Sequence, residues 1–182
     1  MIYTIGHSTR PIDEFIDLLR SHDITQLVDI RTIPKSRHNP QYGQESLQES
    51  IEEAGIAYVY LKALGGLRSS SKDSINDAWR NKSFRNYADY MQTDAFAEGV
   101  EELIKLASEK TTAIMCAEAV PWRCHRSLVS DALLARGIES CEIISASSER
   151  PHKMTSLAVV DGTTMTYPKS ALPEEEGAES EQ

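Results

Sequence analysis

The chain has 182 residues, a mass of 20.3 kDa and a formal net charge of −9, with 40% hydrophobic and 26% charged residues. A single domain of that size buries roughly 70% of the surface its unfolded chain exposes, so it needs no disulfide scaffold, and its three cysteines, an odd number, argue against one. Apolar runs reach only about five or six residues against the roughly 20 that a membrane-spanning helix requires, and Met1 leads straight into Ile2-Tyr3-Thr4-Ile5 with no signal-peptide pattern, so the expectation is a cytosolic protein.

The β-rich run Ile2 to Ile5 stops at Gly6-His7-Ser8. Pro11 then opens a helix in which Ile12, Phe15, Ile16 and Leu19 share one face. A second strand, Ile24 to Ile30, breaks at Arg31-Thr32-Ile33-Pro34, and Pro34 to Gly43 is too polar and broken to form an element. Gln44 to Gly55 reads as a helix with glycine just past its end. Ile56 to Leu61 supplies the third strand, followed by an irregular stretch, Lys62 to Lys82, that is a candidate lid. Two helices follow, with Phe84, Tyr87, Ala88 and Met91 on one face of the first and Phe96, Val100, Leu103 and Ile104 on one face of the second.

Thr111 to Cys116 is a continuously apolar strand, expected to be buried on both faces. A helix from about Pro121 to Arg136, a strand from Ile138 to Ser145 and a hairpin from Ser156 to Tyr167 around Asp161-Gly162 complete the order. From Ala171 the tail carries five glutamates and no base; this composition predicts disorder. Setting those five charges aside leaves −4 for the rest, which disfavours coating a polyanion but permits a local basic pocket. The alternation predicts one α/β domain over residues 1–170: an open, mostly parallel sheet with helices on both faces and a C-terminal β-hairpin. Ligands of such sheets bind beyond the carboxyl ends of the strands, where the polar clusters of this chain fall.

The first cluster is His7 with Ser8, in which the imidazole is either an acid, base or ligand or a hydrogen-bonded turn residue. The second is Asp29, Arg31, Ser36 and Arg37: arginine forks suit phosphate or carboxylate, with Asp29 as an orienter of Arg31 or its structural ion-pair partner. The third, Cys116 through Arg126, holds Cys116, Glu118, Cys124, His125 and Arg126. Cys124 is placed in the first turn of a helix, where the macrodipole and Arg123 and Arg126 favour the thiolate and where an anion can also bind. Packing or capping is the competing reading of both cysteines, and Cys141 is a core residue. A phosphatase-type loop does not fit, because Cys116 and Arg123 have six residues between them and no glycine. A zinc or iron centre from the Cys/His/Glu cluster is an alternative. Gly65-Gly66 permits close backbone approach, the aromatics Tyr58, Tyr60, Trp79, Phe84, Tyr87, Tyr90 and Trp122 are either base-stacking or core residues, and no dinucleotide, P-loop or zincin motif names a cofactor.

Together, TIGHS at 4–8, LVDIRTIPKSR at 27–37, LGG at 64–66, FRNYADYM at 84–91 and MCAEAVPWRCHR at 115–126 resemble the domain of unknown function 488 family, across almost the whole chain to about Ser145. The resemblance implies a compact α/β domain in which these motif positions are the marked ones, and some members carry a label relating them to DNA repair. The expected protein binds a small anionic ligand, phosphate-bearing or nucleotide-like, as an enzyme or enzyme-like protein. His7, Cys116, Glu118, Cys124 and His125 are the candidate catalytic groups; Ser8, Asp29, Arg31, Ser36, Arg37, Gly65, Gly66 and Arg126 are the candidate binding groups. The alternative is a nucleic-acid-binding module, with no membrane partner in either case.

Overall fold

The computed structural model describes residues 1–171; residues 172–182, nearly all of the acidic tail read as disordered, lie outside the described residues. The elements run β1 (Ile2–Gly6), α1 (Ile12–Ser21), β2 (Gln26–Asp29), α2 (Gln44–Glu53), β3 (Ala57–Tyr60), α3 (Lys82–Tyr90), α4 (Asp94–Glu109), β4 (Thr112–Cys116) and α5 (Arg126–Ala135). They continue with β5 (Ser140–Ser145), β6 (Ser148–Pro151), β7 (Val159–Asp161) and β8 (Thr164–Thr166). Six strands form one sheet in the order β3-β2-β4-β1-β5-β6, in which only β6 is antiparallel; β7 and β8 form the separate C-terminal hairpin. The expected mixed α/β fold is therefore present.

Alternation along the strands sorts the helices onto two faces. Ile5, Leu27, Ala113 and Met115 pack with Phe15 and Leu19 of α1 and Leu47 and Ile51 of α2. The intervening Val28, Ile114 and Cys116 pack with Tyr87 of α3, Val100 and Leu103 of α4, and Leu128 and Val129 of α5. β4 is buried at all five positions, as its apolar run predicts for a strand covered on both faces. The loops after β1 and β2 thus lead to one face and the loop after β4 to the other. Where neighbouring connections diverge in this way, a crevice opens at the carboxyl edge of the sheet.

Local signals explain the element ends. Asn81 accepts from the N–H groups of Ser83 and Phe84 at the start of α3, and Thr93 accepts from Phe96 at the start of α4, each cap contributing about 1 kcal/mol. Gly55 (φ +80°) and Gly137 (φ +76°) take the left-handed conformation just beyond α2 and α5. Two boundaries differ from expectation. α5 begins at Arg126, because Pro121–Arg123 form a separate 3-10 turn. β6 was not anticipated: its Ser-Glu-Arg-Pro sequence is fully exposed, so it lacks the alternation that marks a half-buried strand, and proline is tolerated there because the strand is an edge. Among the described residues no helix is long and apolar enough to cross a membrane.

The C-terminal segment is fastened to α5 by one buried carboxylate. Asp131, 0% exposed, accepts from His152 Nε2 at 2.6 Å and the Thr155 N–H at 3.0 Å through Oδ1, and from the Tyr167 hydroxyl at 2.9 Å through Oδ2. Truncating it strands the buried Tyr167 hydroxyl and leaves the half-buried His152 and Thr155 donors without their acceptor, so Asp131→Ala should destabilise the fold by about 3 kcal/mol. Urea unfolding of the variant and the wild type measures this, and equal midpoints would show that the segment is not held in this way.

Candidate functional site

Beyond the carboxyl ends of β1, β2 and β4 lies a cleft of about 710 Å³. From the β1 turn it receives His7, Ser8 and Thr9; from the segment after β2, Arg31, Lys35 and Ser36; from the 116–125 loop, Cys116, Glu118, Arg123, Cys124 and His125; and Gly66 closes one side. Nine of the residues singled out in the sequence therefore meet here. The β1 turn is stitched to the end of β4 by His7 N–H to the Cys116 carbonyl and Ser8 N–H to the Ala117 carbonyl, both 2.9 Å. Gly6 is required at this crossing, because a Cβ there would overlap the Glu118 carbonyl. Ser8 sits at φ +51°, a costly conformation for a residue other than glycine and one that clusters at functional sites.

Four expected residues lie elsewhere. Asp29 is fully buried behind the cleft, where Oδ1 and Oδ2 accept from Arg31 Nε (2.9 Å) and Nη2 (2.7 Å) and Oδ2 accepts from the Tyr58 hydroxyl (2.6 Å). Arg31 also donates through Nη1 to the Tyr42 carbonyl at 2.7 Å, so three of its five N–H groups are used and two remain on a side chain that reaches the cleft. Arg37 is exposed and outside the cleft lining. Gly65 packs against Thr32, where a Cβ would come within 2.6 Å of Oγ1.

Arg126 is the fourth. It is 0% exposed and engages all five N–H groups: Nε and Nη2 hold Glu142 (3.2 and 2.7 Å), Nη2 also holds the Ala119 carbonyl (2.9 Å), and Nη1 holds Cys116 Sγ (2.7 Å) and the Glu118 carbonyl. Instead of presenting donors to the cleft, as expected, it shapes the loop from beneath. The helix start is likewise committed: the Arg126 N–H faces Cys124 Sγ at 3.5 Å, while those of Ser127 and Leu128 donate to the Cys124 and His125 carbonyls, so α5 offers no open anion cradle.

Cys116 and Cys124 are joined as a disulfide, whereas Cys141 is free and buried. The cysteine count gave no sign of this pair, which is a local clip between a strand end and a helix start, not a scaffold. Among the described residues no group of three or more His, Cys, Asp or Glu side chains is placed to hold a metal ion, so the metal-centre alternative finds no ligand set.

Both cleft histidines are held as neutral rings of assigned tautomer. His7 Nδ1 lies 2.7 Å from the Ser8 carbonyl, which can only accept, so Nδ1 carries the proton and Nε2 the lone pair. The ring stacks on Tyr42 with centroids 4.1 Å apart. Burial pushes its pKa down from 6.5 to about 4, with the Ser8 carbonyl opposing and Arg31 adding to the shift. His125 Nε2 donates to the Ile30 carbonyl at 2.9 Å and its Nδ1 lies 3.6 Å from Cys124 Sγ. Burial lowers its pKa to about 4 as well, against the Ile30 carbonyl. Gly66 lies against this ring, where a Cβ would overlap Nδ1.

Three contributors escaped the sequence reading. Tyr42, buried in the polar loop, had no periodic partner to mark it as core. Glu142 and Thr4, hydrogen-bonded to each other beside Arg126, sit in strands read only for their apolar character. A carboxylate inside a buried parallel strand was the available signal, since such a group requires a cation.

Fold and site define an α/β protein whose mostly parallel sheet carries a polar, cysteine- and histidine-bearing cleft at its carboxyl edge. The chain belongs to the family described as Domain of unknown function DUF488, whose family model matches residues 11–133. That range takes in four of the five motifs quoted above and leaves out TIGHS and everything after Leu133, a shorter span than the resemblance suggested. No curated protein and no solved structure matches the chain.

The two histidines make stability depend on pH with a definite sign. In the unfolded chain each protonates near 6.5 and in the folded protein near 4, so their contribution is complete above about pH 6.5 and is lost as pH falls toward 4. One proton taken up on unfolding gives a slope of about 1.4 kcal/mol per pH unit. Urea unfolding between pH 6.5 and 4.5 should therefore show a slope smaller by about that amount in His7→Asn than in wild type. An unchanged slope would mean that His7 is not buried neutral.

Proposed function

We propose that this cleft binds a small anionic ligand, phosphate-bearing or nucleotide-like, and that the protein is an enzyme or enzyme-like protein working on it. The observation that carries this reading is the convergence of strand-end segments from β1, β2 and β4 on one crevice with an unbalanced positive rim. The side chains of Lys35 and Arg123 line it with no hydrogen bond or ion pair among the described residues, and Arg31 reaches it with two N–H groups to spare. Glu118 is the only acid of the lining. Against the overall −9, this is a local reversal of sign of the kind that draws an anion into a cleft.

The chemistry on offer is proton transfer and nucleophilic attack. Neutral His7 presents Nε2 as an acceptor, the exposed Glu118 carboxylate is a second candidate base, and the cysteines are candidate nucleophiles once reduced. Because both rings stay neutral down to about pH 4, a base role for His7 needs no titration near neutrality.

The test is calorimetric titration with inorganic phosphate and with a nucleoside monophosphate. Each lost charge-assisted hydrogen bond is worth about 1.5–3 kcal/mol, so Lys35→Ala and Arg123→Ala should each weaken binding about tenfold or more. Both side chains are exposed and make no side-chain hydrogen bond or ion pair among the described residues, and alanine keeps their backbone hydrogen bonds. Equal affinity of both variants for every ligand that wild type binds would reject the anion cleft.

A further inference from the structure

We propose that Cys116 and Cys124 form a working dithiol–disulfide couple, through which the cleft exchanges electrons with low-molecular-weight, anionic thiols and disulfides. The choice of an anionic substrate rests on the binding reading above; the couple itself does not. Both cysteines line the cleft and are bonded to each other, and each sulfur has a polar neighbour suited to its reduced form. Arg126 Nη1 donates to Cys116 Sγ at 2.7 Å, a charged donor that stabilises a thiolate there. His125 Nδ1, which carries a lone pair because Nε2 donates to the Ile30 carbonyl, lies 3.6 Å from Cys124 Sγ and can accept a thiol hydrogen. A purely structural clip needs neither arrangement. Cys141, in β5, has no such neighbours and its thiol is pushed up by burial and nearby glutamates, so it stands outside the couple.

Exposure selects the substrate's size. Cys116 is 2% and Cys124 5% exposed, which bars the disulfide of a folded protein but admits a small molecule through the cleft. Rim charge selects its sign, since Lys35 and Arg123 favour carboxylates. The environment also selects the order of events. A thiolate RS⁻ attacks Cys124 Sγ, on the more exposed of the two residues; the Cys116–Cys124 bond breaks, and its electron pair leaves on Cys116, the sulfur whose anion Arg126 stabilises. Cys124 is then joined to R. A second RS⁻ attacks the sulfur of R, RSSR departs, and the electron pair returns to Cys124, which is protonated beside His125. In sum the protein disulfide and two RS⁻ give RSSR and the reduced pair, Cys116 held as the thiolate and Cys124 protonated by one proton from solvent, a two-electron transfer that runs backward when a small disulfide is in excess.

The full-length protein is equilibrated with glutathione and glutathione disulfide, a carboxylate-bearing pair, over a range of ratios, then alkylated and mapped by mass spectrometry. The expected result is one two-electron transition in which Cys116 and Cys124 are protected together while Cys141 is alkylated at every ratio once the protein is denatured. Reduction of the oxidised protein by glutathione should be at least tenfold faster than by cysteamine, a cationic thiol, at equal thiolate concentration, and Lys35→Ala/Arg123→Ala should erase that preference. Independent alkylation of Cys116 and Cys124 at all ratios overturns the couple, even if phosphate binding is intact. Joint protection with no preference between the two thiols overturns the anionic substrate class and leaves the couple standing. Phosphate binding lost in the rim variants, with the two-electron transition unchanged, separates the fate of the binding reading from that of the couple.

Discussion

The cleft depends on a guanidinium that never reaches it. Arg126 is buried completely, and a charge so placed costs several kcal/mol unless it is paired and its remaining donors are satisfied. Glu142 on β5 supplies the pairing; Cys116 at the end of β4 and the Glu118 and Ala119 carbonyls supply the rest. Thr4 on β1 donates to the same carboxylate. One ion pair thus ties three neighbouring strands to the first turn of α5 and fixes the path of the loop that carries Glu118. Backbone carbonyls turned inward beneath a cleft would otherwise be unpaired acceptors, and no apolar side chain of the same volume could satisfy them.

A second pair does the corresponding work on the other side of β4. Asp29 grips Arg31 with both oxygens, Tyr58 saturates the carboxylate, and the Tyr42 carbonyl takes a third donor. Tyr42 also stacks on His7, so the orientation of the imidazole and of the guanidinium is set by one aromatic residue. The floor of the cleft is consequently neutral in sum: two arginines cancelled by two carboxylates, and two histidines kept uncharged by burial. The net positive charge remains at the rim, on Lys35 and Arg123, where water and a ligand can reach it.

Much of this was legible in the sequence wherever local rules decide. Helical periodicity identified α1, α3 and α4 because each buries a single stripe, and the unbroken apolar run of β4 announced a strand covered on both faces. The clustering of polar residues after strands, joined to the rule that open sheets bind at their carboxyl edge, brought His7, Arg31, Cys116, Cys124 and His125 to one place. What could not be read were partners far apart in the chain. Arg126 looked like a ligand arginine because its true partner, Glu142, lies sixteen residues away in a strand, and pairing between a helix and a strand has no local signature. Tyr42 was hidden in a segment whose composition signals a loop. The other outlying residues have other causes: Asp29 is spent on Arg31 two residues away, Gly65 packs against Thr32, and Arg37 is exposed outside the cleft.

The two buried arginines differ in what they could offer the proposed anion. Arg126 has spent every donor on the protein, so an anionic group brought near it would gain no hydrogen bond and would face Glu142. Arg31 is held as firmly, by two bonds to Asp29 and one to Tyr42, yet keeps two N–H groups and reaches the lining of the cleft. A guanidinium fixed in orientation before a ligand arrives loses little side-chain entropy on binding, and its uncommitted donors gain most from an acceptor in a partly desolvated site. Lys35 and Arg123 at the rim are long, exposed and unpaired among the described residues; their contribution is attraction and neutralisation, at the cost of being ordered. On the proposed reading Arg31 would orient the anion and the rim would capture it, with Cys116 and Cys124 lining the same cleft.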